Sequence, residues 1–263
     1  MNPIQLNPSD LAIAGLLVAF DAVLSVLLRL QLHRQILWAA CRMVVQLIAV
    51  GYLMRLVFAM RHPAATLALL VLMAAVAARE IAVRPEKRFK GLSGLTLSAG
   101  GVAITTAVTV GLALLTAIRP HPWYDPRYAI SLTGIILGSV LNSGSLALDS
   151  ILGRVQRERT AIEAQLALGA SFHQAIAPIL RDSIRRGLLP IINQMSAAGV
   201  ITLPGIMTGQ ILAGLDPVEA VKYQILLMFL LAGASGLAAL LIAYGAVRRL
   251  TDSRQRLRLD RLR

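Results

Sequence analysis

Apolar residues run along this 263-residue chain in long blocks separated by short polar punctuation. A helix needs about 20 predominantly apolar residues to cross the hydrocarbon of a bilayer. Seven blocks reach that length: Leu11–Leu28, Ile36–Phe58, Ala64–Val83, Leu95–Ile118, Ala129–Leu148, Leu188–Leu212 and Tyr223–Val247. The third carries Arg79 and Glu80 near its end. Start signals fall where the blocks open: Asn7, Pro8, Ser9 and Asp10 before the first, Asp216 and Pro217 before the last. The pattern predicts an all-α polytopic membrane protein of about seven transmembrane helices, one membrane domain over residues 1–263. Only one connection is long, 149–187, and a basic tail follows at 248–263.

Composition agrees with that pattern and adds an orientation. Hydrophobic residues make up 57% and charged residues 15%, yet Lys and Arg outnumber Asp and Glu by 26 to 13. A soluble domain carries about 25% charged residues, so most cytosolic enzyme classes are excluded. Alternate connections hold Arg29 and Arg34; Arg79, Arg84, Lys87, Arg88 and Lys90; Arg154, Arg157, Arg159, Arg181, Arg185 and Arg186; and the seven tail arginines. The opposite connections hold only Arg55, Arg61, Arg119, Arg127 and Lys222, while Arg42 lies within a span. The positive-inside bias then predicts the N-terminus outside and the tail cytoplasmic. Trp123, Tyr124 and Tyr128 suit an outer interfacial belt. The first block lacks a basic prelude and a small-residue cleavage site, and reads as a retained helix. Cys41 stands alone, so no disulfide framework is expected. The arginine–leucine tail reads as an attraction to membrane lipids rather than to nucleic acid.

The long connection is rich in helix formers from Arg154 to Leu168, then meets Gly169 as a breaker and Ser171 as a cap. It reads as helix, turn, helix along the membrane surface. Glu163, Ala164, three further residues, Leu168 and Gly169, followed by Ile179 and Leu180, resemble the coupling loop of ATP-binding-cassette permeases. Gln165 and Arg181 depart from that pattern, where alanine and proline would stand. An ordinary amphipathic interfacial helix is the alternative reading. More of the chain supports a specific branch: ALGAS from Ala167, RDSIRRGLLP from Arg181, ITLPGIMTGQILAGLDPVEAVKYQI from Ile201 and LWAACRMVVQLIAVGY from Leu37. These resemble the FetB-type permeases, an iron-export branch related to plant aluminium-tolerance permeases. The resemblance implies a permease subunit of the bacterial inner membrane that forms a homodimer, pairs with an ATP-binding subunit and exports iron or another metal ion. Glu163, Ala164, Leu168, Gly169, Ala170 and Ser171 would then be the ATPase-coupling residues. No GxxxxGK[ST] string occurs, so ATP and Mg²⁺ are expected on the partner, with no cofactor and no catalytic residue on this chain.

The sixth block holds the candidate pathway. Pro204 within a helix would free the Val200 carbonyl and kink the span, and broken helices are where transporters build sites. Asn193, Gln194, Ser196 and Gln210 offer amide and hydroxyl groups there, Met195 and Met207 thioether sulfur. Thr202 and Thr208 add further oxygens, and Gly205 and Gly209 could instead serve helix packing. Asp21 and Arg42 fall at similar depth on either side of the first connection, which favours an intramembrane ion pair over a proton or substrate site. Asn142, Ser143, Ser145 and Asp149 make the fifth block polar toward one end, with Asp149 read as a membrane-border residue. His121 and Asp125 could meet a cation, although an interfacial loop explains them as well. GASG at Gly233–Gly236 imitates an intramembrane-protease nucleophile motif, but all four histidines precede it. The remaining alternatives are a cassette permease for another small solute and an ATPase-independent secondary transporter.

Overall fold

The computed structural model describes residues 7–60, 62–120, 122 and 125–263. Among these the chain is almost wholly helical, with isolated β-bridges and no strand. The described residues form two compact units: those up to residue 62 with 212–214, and those of 63–211 with 215–263.

The first unit is a helical hairpin. α1 (Pro8–Leu27) opens with Asn7 and Asp10 in a reciprocal capping box, the arrangement that satisfies two otherwise orphaned amides. α2 (His33–Met60) returns after a tight turn in which the Ser25 hydroxyl accepts from the Leu32 amide at 2.9 Å. Of its described residues only Ala22, Ser25 and Val57 are buried. A helix surface so apolar and so open is stable only against lipid or another apolar body.

The second unit is a bundle around one central helix. α3 (Pro63–Val83), α4 (Ser93–Leu112), α5 (Pro126–Arg157), α6 (Arg159–Ala167), α7 (Phe172–Ala197), α8 (Gly205–Leu212) and α9 (Pro217–Arg249) compose it. α5 packs against α3, α4, α7 and α9. α4 runs on into a π-helical stretch, Ala113–Ile118, which ends at Arg119 in a left-handed conformation. Asp125 caps α5 by accepting from the Arg127 amide, and Asp216 caps α9 by accepting from Val218 and Glu219, each just ahead of a proline. Small residues allow the close approach: the buried face of α9 carries Ala234, Ala238, Ala239, Ala243 and Ala246. Gly187 of α7 sits so near α5 that a methyl there would stand 2.8 Å from the Ser143 carbonyl oxygen.

Among the described residues, six helices are long and apolar enough to cross a membrane: α1, α2, α3, α4 with its π-helical extension, α5 and α9. The chain is therefore a multi-pass membrane protein, and the blocks that predicted these six are reproduced. The sixth block is different. Leu188–Leu212 is no continuous span: α7 stops at Ala197 and α8 starts only at Gly205. Pro204 does not kink a helix from within but precedes α8, its carbonyl accepting from the Thr208 amide at 3.0 Å. Nor does the long connection form a separate pair of surface helices. α5 extends to Arg157, and the helix capped by Ser171 is the first part of α7 itself.

The tail is folded. Arg88 and Arg263 exchange backbone hydrogen bonds at 2.8 and 3.1 Å, and Arg261 accepts from the Lys90 amide. Leu257, Leu259 and Leu262 pack on the core. Arg256 and Arg258 pair with Asp252 and Asp260, and Arg261 donates to the Arg249 carbonyl, so part of the tail charge is engaged by the chain itself.

Candidate translocation site and docking turn

The gap between α7 and α8 is an ordered turn. The Ile201 and Thr202 amides both donate to the Ala197 carbonyl at 3.0 Å, and Gly199 donates to Thr202 at 2.9 Å. Gly199 has φ +89, which a side chain would strain. The turn thereby satisfies carbonyls that the end of a helix otherwise leaves open, while Val200, Ile201 and Leu203 stay exposed.

Two cavities flank the interrupted helix. The smaller, about 210 Å³, lies between α5, α7 and α9, with Ser139, Asn142 and Ser143 on one side, Pro190 and Gln194 on another, and Leu231 on the third. The Ser139 and Ser235 hydroxyls meet there at 2.6 Å. Pro190 has no amide hydrogen, so the Arg186 carbonyl cannot receive its helical bond from that position. The larger cavity, about 560 Å³, lies between the turn, α8 and the first part of α9. Met195, Gly199, Pro204 and Met207 face Gln224, Met228 and Phe229 across it. The Gln224 side chain is 8% exposed and its Oε1 has no partner.

The expected pathway residues thus divide. Met195, Pro204 and Met207 line the larger cavity and Gln194 the smaller. Asn193 and Ser196 are exposed, Ser196 donating to its own helix at the Ile192 carbonyl, 2.9 Å. Gln210, on α8, lines neither cavity but keeps a buried, unpartnered Oε1. A methyl at Gly205 or Gly209 would meet no other part of the described residues within 4 Å. The sequence reading missed Gln224 and Met228, which lie one turn apart on one face of α9. That four-residue spacing was the available signal, with Gln224 near the end of the string that starts at Ile201 and Met228 just beyond it. Ser235 is wholly buried against Ser139 and makes a helix-packing contact, not a nucleophile's. In the hairpin, Asp21 and Arg42 are both exposed. His121, Trp123, Tyr124 and Arg61 lie outside the described residues.

A second feature stands at the α6 end of the bundle. Ile162 and Phe172 are buried, and between them Glu163, Ala164, Leu168 and Gly169 face outward, with Leu168 88% exposed. Ala170 and Ser171 are half-buried; Ser171 caps α7 in a capping box with Gln174. Gly169, at φ +91, makes the reversal. The base beneath is cross-braced: Arg154 pairs with Glu158 at 2.9 Å and Asp182 at 2.5 Å, and Asp182 also with Arg186 at 2.9 Å. The Arg186 hydrogen bond, helped by Arg154, holds the Asp182 carboxyl below its ordinary range. Asp149, expected as a border residue, ties α5 to the α3–α4 connection by accepting from the Glu86 amide at 3.1 Å. Gln255 of the tail accepts from the Phe172 amide at 2.9 Å.

The model of the uncharacterised protein family UPF0014 matches residues 8–251. The chain belongs to the UPF0014 family. A UPF0014 membrane protein of Synechocystis, slr1647, is 41% identical over 97% of this chain and 97% of its own length. The probable iron export permease protein FetB of Escherichia coli is 33% identical over 100% of this chain and 99% of its own. STAR2 of rice, another UPF0014 membrane protein, is 34% identical over 88% of this chain and 79% of its own length. The likeness to FetB-type permeases therefore extends along the whole chain. No solved structure matches this UPF0014 protein.

Proposed function

We propose that this chain is the membrane-spanning subunit of an ATP-driven exporter of iron or another metal ion, working as a homodimer in the bacterial inner membrane. Hydrolysis would occur on a separate ATP-binding subunit seated on the α6–α7 turn, with that turn and the tail on the cytoplasmic side and the N-terminus outside. The observation that carries this reading is the continuity of α7. Its capped first turn adjoins the protruding Leu168, and its last turn ends at the interruption beside both cavities. A push on the turn has one continuous helix along which to reach that place, which is the coupling an exporter requires. The iron assignment is supported by the name of the Escherichia coli relative and the full-length match to it.

Affinity capture of the tagged chain from native membranes tests the partnership. An ATP-binding subunit should copurify, and Glu163→Lys, which reverses charge on the exposed face of α6, should release it without lowering the amount of membrane-inserted chain. Capture with no ATP-binding subunit under mild detergent refutes the partnership and favours a secondary transporter. Efflux across a metal panel, in cells with and without the chain, decides the cargo; unchanged iron retention would remove iron from the proposal.

A further inference from the structure

The larger cavity has a lining unlike the rest of the molecule. Three of the eight methionines in the chain, Met195, Met207 and Met228, meet there from α7, α8 and α9. They are not one helix's stripe, since each comes from a different element, and Gln224 stands one turn from Met228 on the same face of α9. A buried amide oxygen without a partner carries a desolvation cost unless something in the cavity satisfies it. The other wall residues are hydrocarbon, Phe229 or glycine; among the described residues no carboxylate, imidazole or ammonium reaches the lining.

We propose that this cavity binds a soft monovalent metal cation of the Cu(I) type, held by the thioethers of Met195, Met207 and Met228 and by Gln224 Oε1. Thioether sulfur is a soft, neutral donor that selects Cu(I), whereas hard divalent ions gain most from carboxylates and water. One positive charge matched by neutral donors needs no buried anion. The cavity is wider than a bare ion, and methionine fits that circumstance: its three rotatable bonds let the sulfurs swing inward around a small guest. Gly199 and Pro204 beside it fix the turn from which α8 departs, so the donors on α7 and α8 sit on either side of the interruption. As a statement about cargo, this inference rests on the exporter reading; as a statement about binding, it does not.

The test uses the purified full-length chain in lipid nanodiscs, in a Cys41→Ser background to remove the thiol. Cu(I) is titrated anaerobically against a chromogenic chelator. One Cu(I) per chain is expected. Each of Met195→Leu, Met207→Leu and Met228→Leu should weaken binding about tenfold, and the triple variant should lose it. Fe(II) should bind far more weakly and be indifferent to these changes. Sulfur in the first coordination shell of the wild-type complex, read by X-ray absorption, supplies a second measurement that no variant's folding can obscure. Absent Cu(I) binding, affinity unchanged in the triple variant, or an oxygen and nitrogen shell would each overturn the proposal. So would displacement of Cu(I) by an apolar solute with no dependence on the methionines. Iron efflux that persists while Cu(I) fails to bind sinks the cavity assignment and leaves the exporter standing. Cu(I) binding by a chain that captures no ATP-binding subunit does the reverse.

Discussion

α9 and α7 pack on the same central helix, yet α9 and the α7–α8 pair are built on opposite plans. α9 is 33 residues long and unbroken, with an apolar middle and a buried face of alanines that lets α5 approach. α7 carries Pro178, Pro190, three arginines and an aspartate, ends at Ala197, and resumes only eight residues later as the eight-residue α8. Continuity makes α9 a post. Interruption makes its neighbour the place where backbone carbonyls, amides and sulfur come within reach of a guest, because a lipid-facing helix cannot leave backbone groups open whereas a cavity-lining one can.

A proline exchange between the two should give the largest difference. Ala238 is fully buried in the middle of α9. Ala238→Pro would remove an internal hydrogen bond and drive a ring into the preceding turn, costing about 3 kcal/mol or more. Pro190→Ala on α7 restores an amide and should alter stability by less than about 1 kcal/mol. The expected result is loss of monodisperse protein on size-exclusion chromatography for the first and an unchanged profile for the second. Equal damage from both would show that the interrupted helix is as intolerant as the continuous one, and the contrast would collapse.

Two glycines sharpen the same contrast at smaller scale. Gly187 lies where α7 crosses α5 and α9; a methyl there would meet the Ser143 carbonyl at 2.8 Å, Ala147 at 3.1 Å and Ala239 at 3.2 Å. Backbone cannot yield as a side-chain tip can, so Gly187→Ala should cost about 1–3 kcal/mol and lower the thermal midpoint in detergent. At Gly205, at the start of α8, a methyl would meet nothing within 4 Å beyond its own turn of helix among the described residues. Gly205→Ala should therefore leave the midpoint within error. A drop there as large as at Gly187 would mean that α8 is packed as tightly as α7, against something other than this chain.

This division also explains what the sequence could and could not reveal. Hydropathy located α1 to α5 and α9 because a membrane helix must be apolar for its full length, and Asp216–Pro217 marked a helix start by local chemistry alone. The interruption escaped the same reasoning. Ile201–Leu212 is apolar whether or not it is helical, so Pro204 looked like a kink, and only the folded turn shows Ala197 accepting from Ile201 and Thr202. Met195 and Met207 were legible as soft donors, being on the suspect block itself. Gln224 and Met228 were not, since their role depends on α9 standing across a cavity that no local pattern encodes. The fold of the tail was not legible for a related reason: charge density shows how basic the segment is, but the pairing of Arg256 and Arg258 with Asp252 and Asp260 exists only once the tail has folded.

The smallest effect concerns that tail, which begins where α9 ends and reaches the start of α7 through Gln255 and the Phe172 amide. It ties the end of the continuous helix to the start of the interrupted one at this end of the bundle. Arg258 holds the Asp260 carboxyl down from 3.8 to about 2, and the Arg256 and Arg254 amides, with the Arg256 side chain, lower that of Asp252. A carboxylate whose folded value lies below its unfolded one stabilises the fold above the unfolded value and loses that contribution as pH falls through the folded one. The tail should therefore be insensitive to pH from about 8 to 5 and loosen between about 4 and 2. Hydrogen exchange, corrected for the intrinsic pH dependence, should then rise at residues 252–263 and at Phe172, while the middle of α9 stays protected. Asp252→Asn with Asp260→Asn should reproduce that pattern at neutral pH. Protection at Phe172 that survives release of the tail would mean that the capping box of Ser171 and Gln174 holds the start of α7 unaided, and that the two helices are independent at this end.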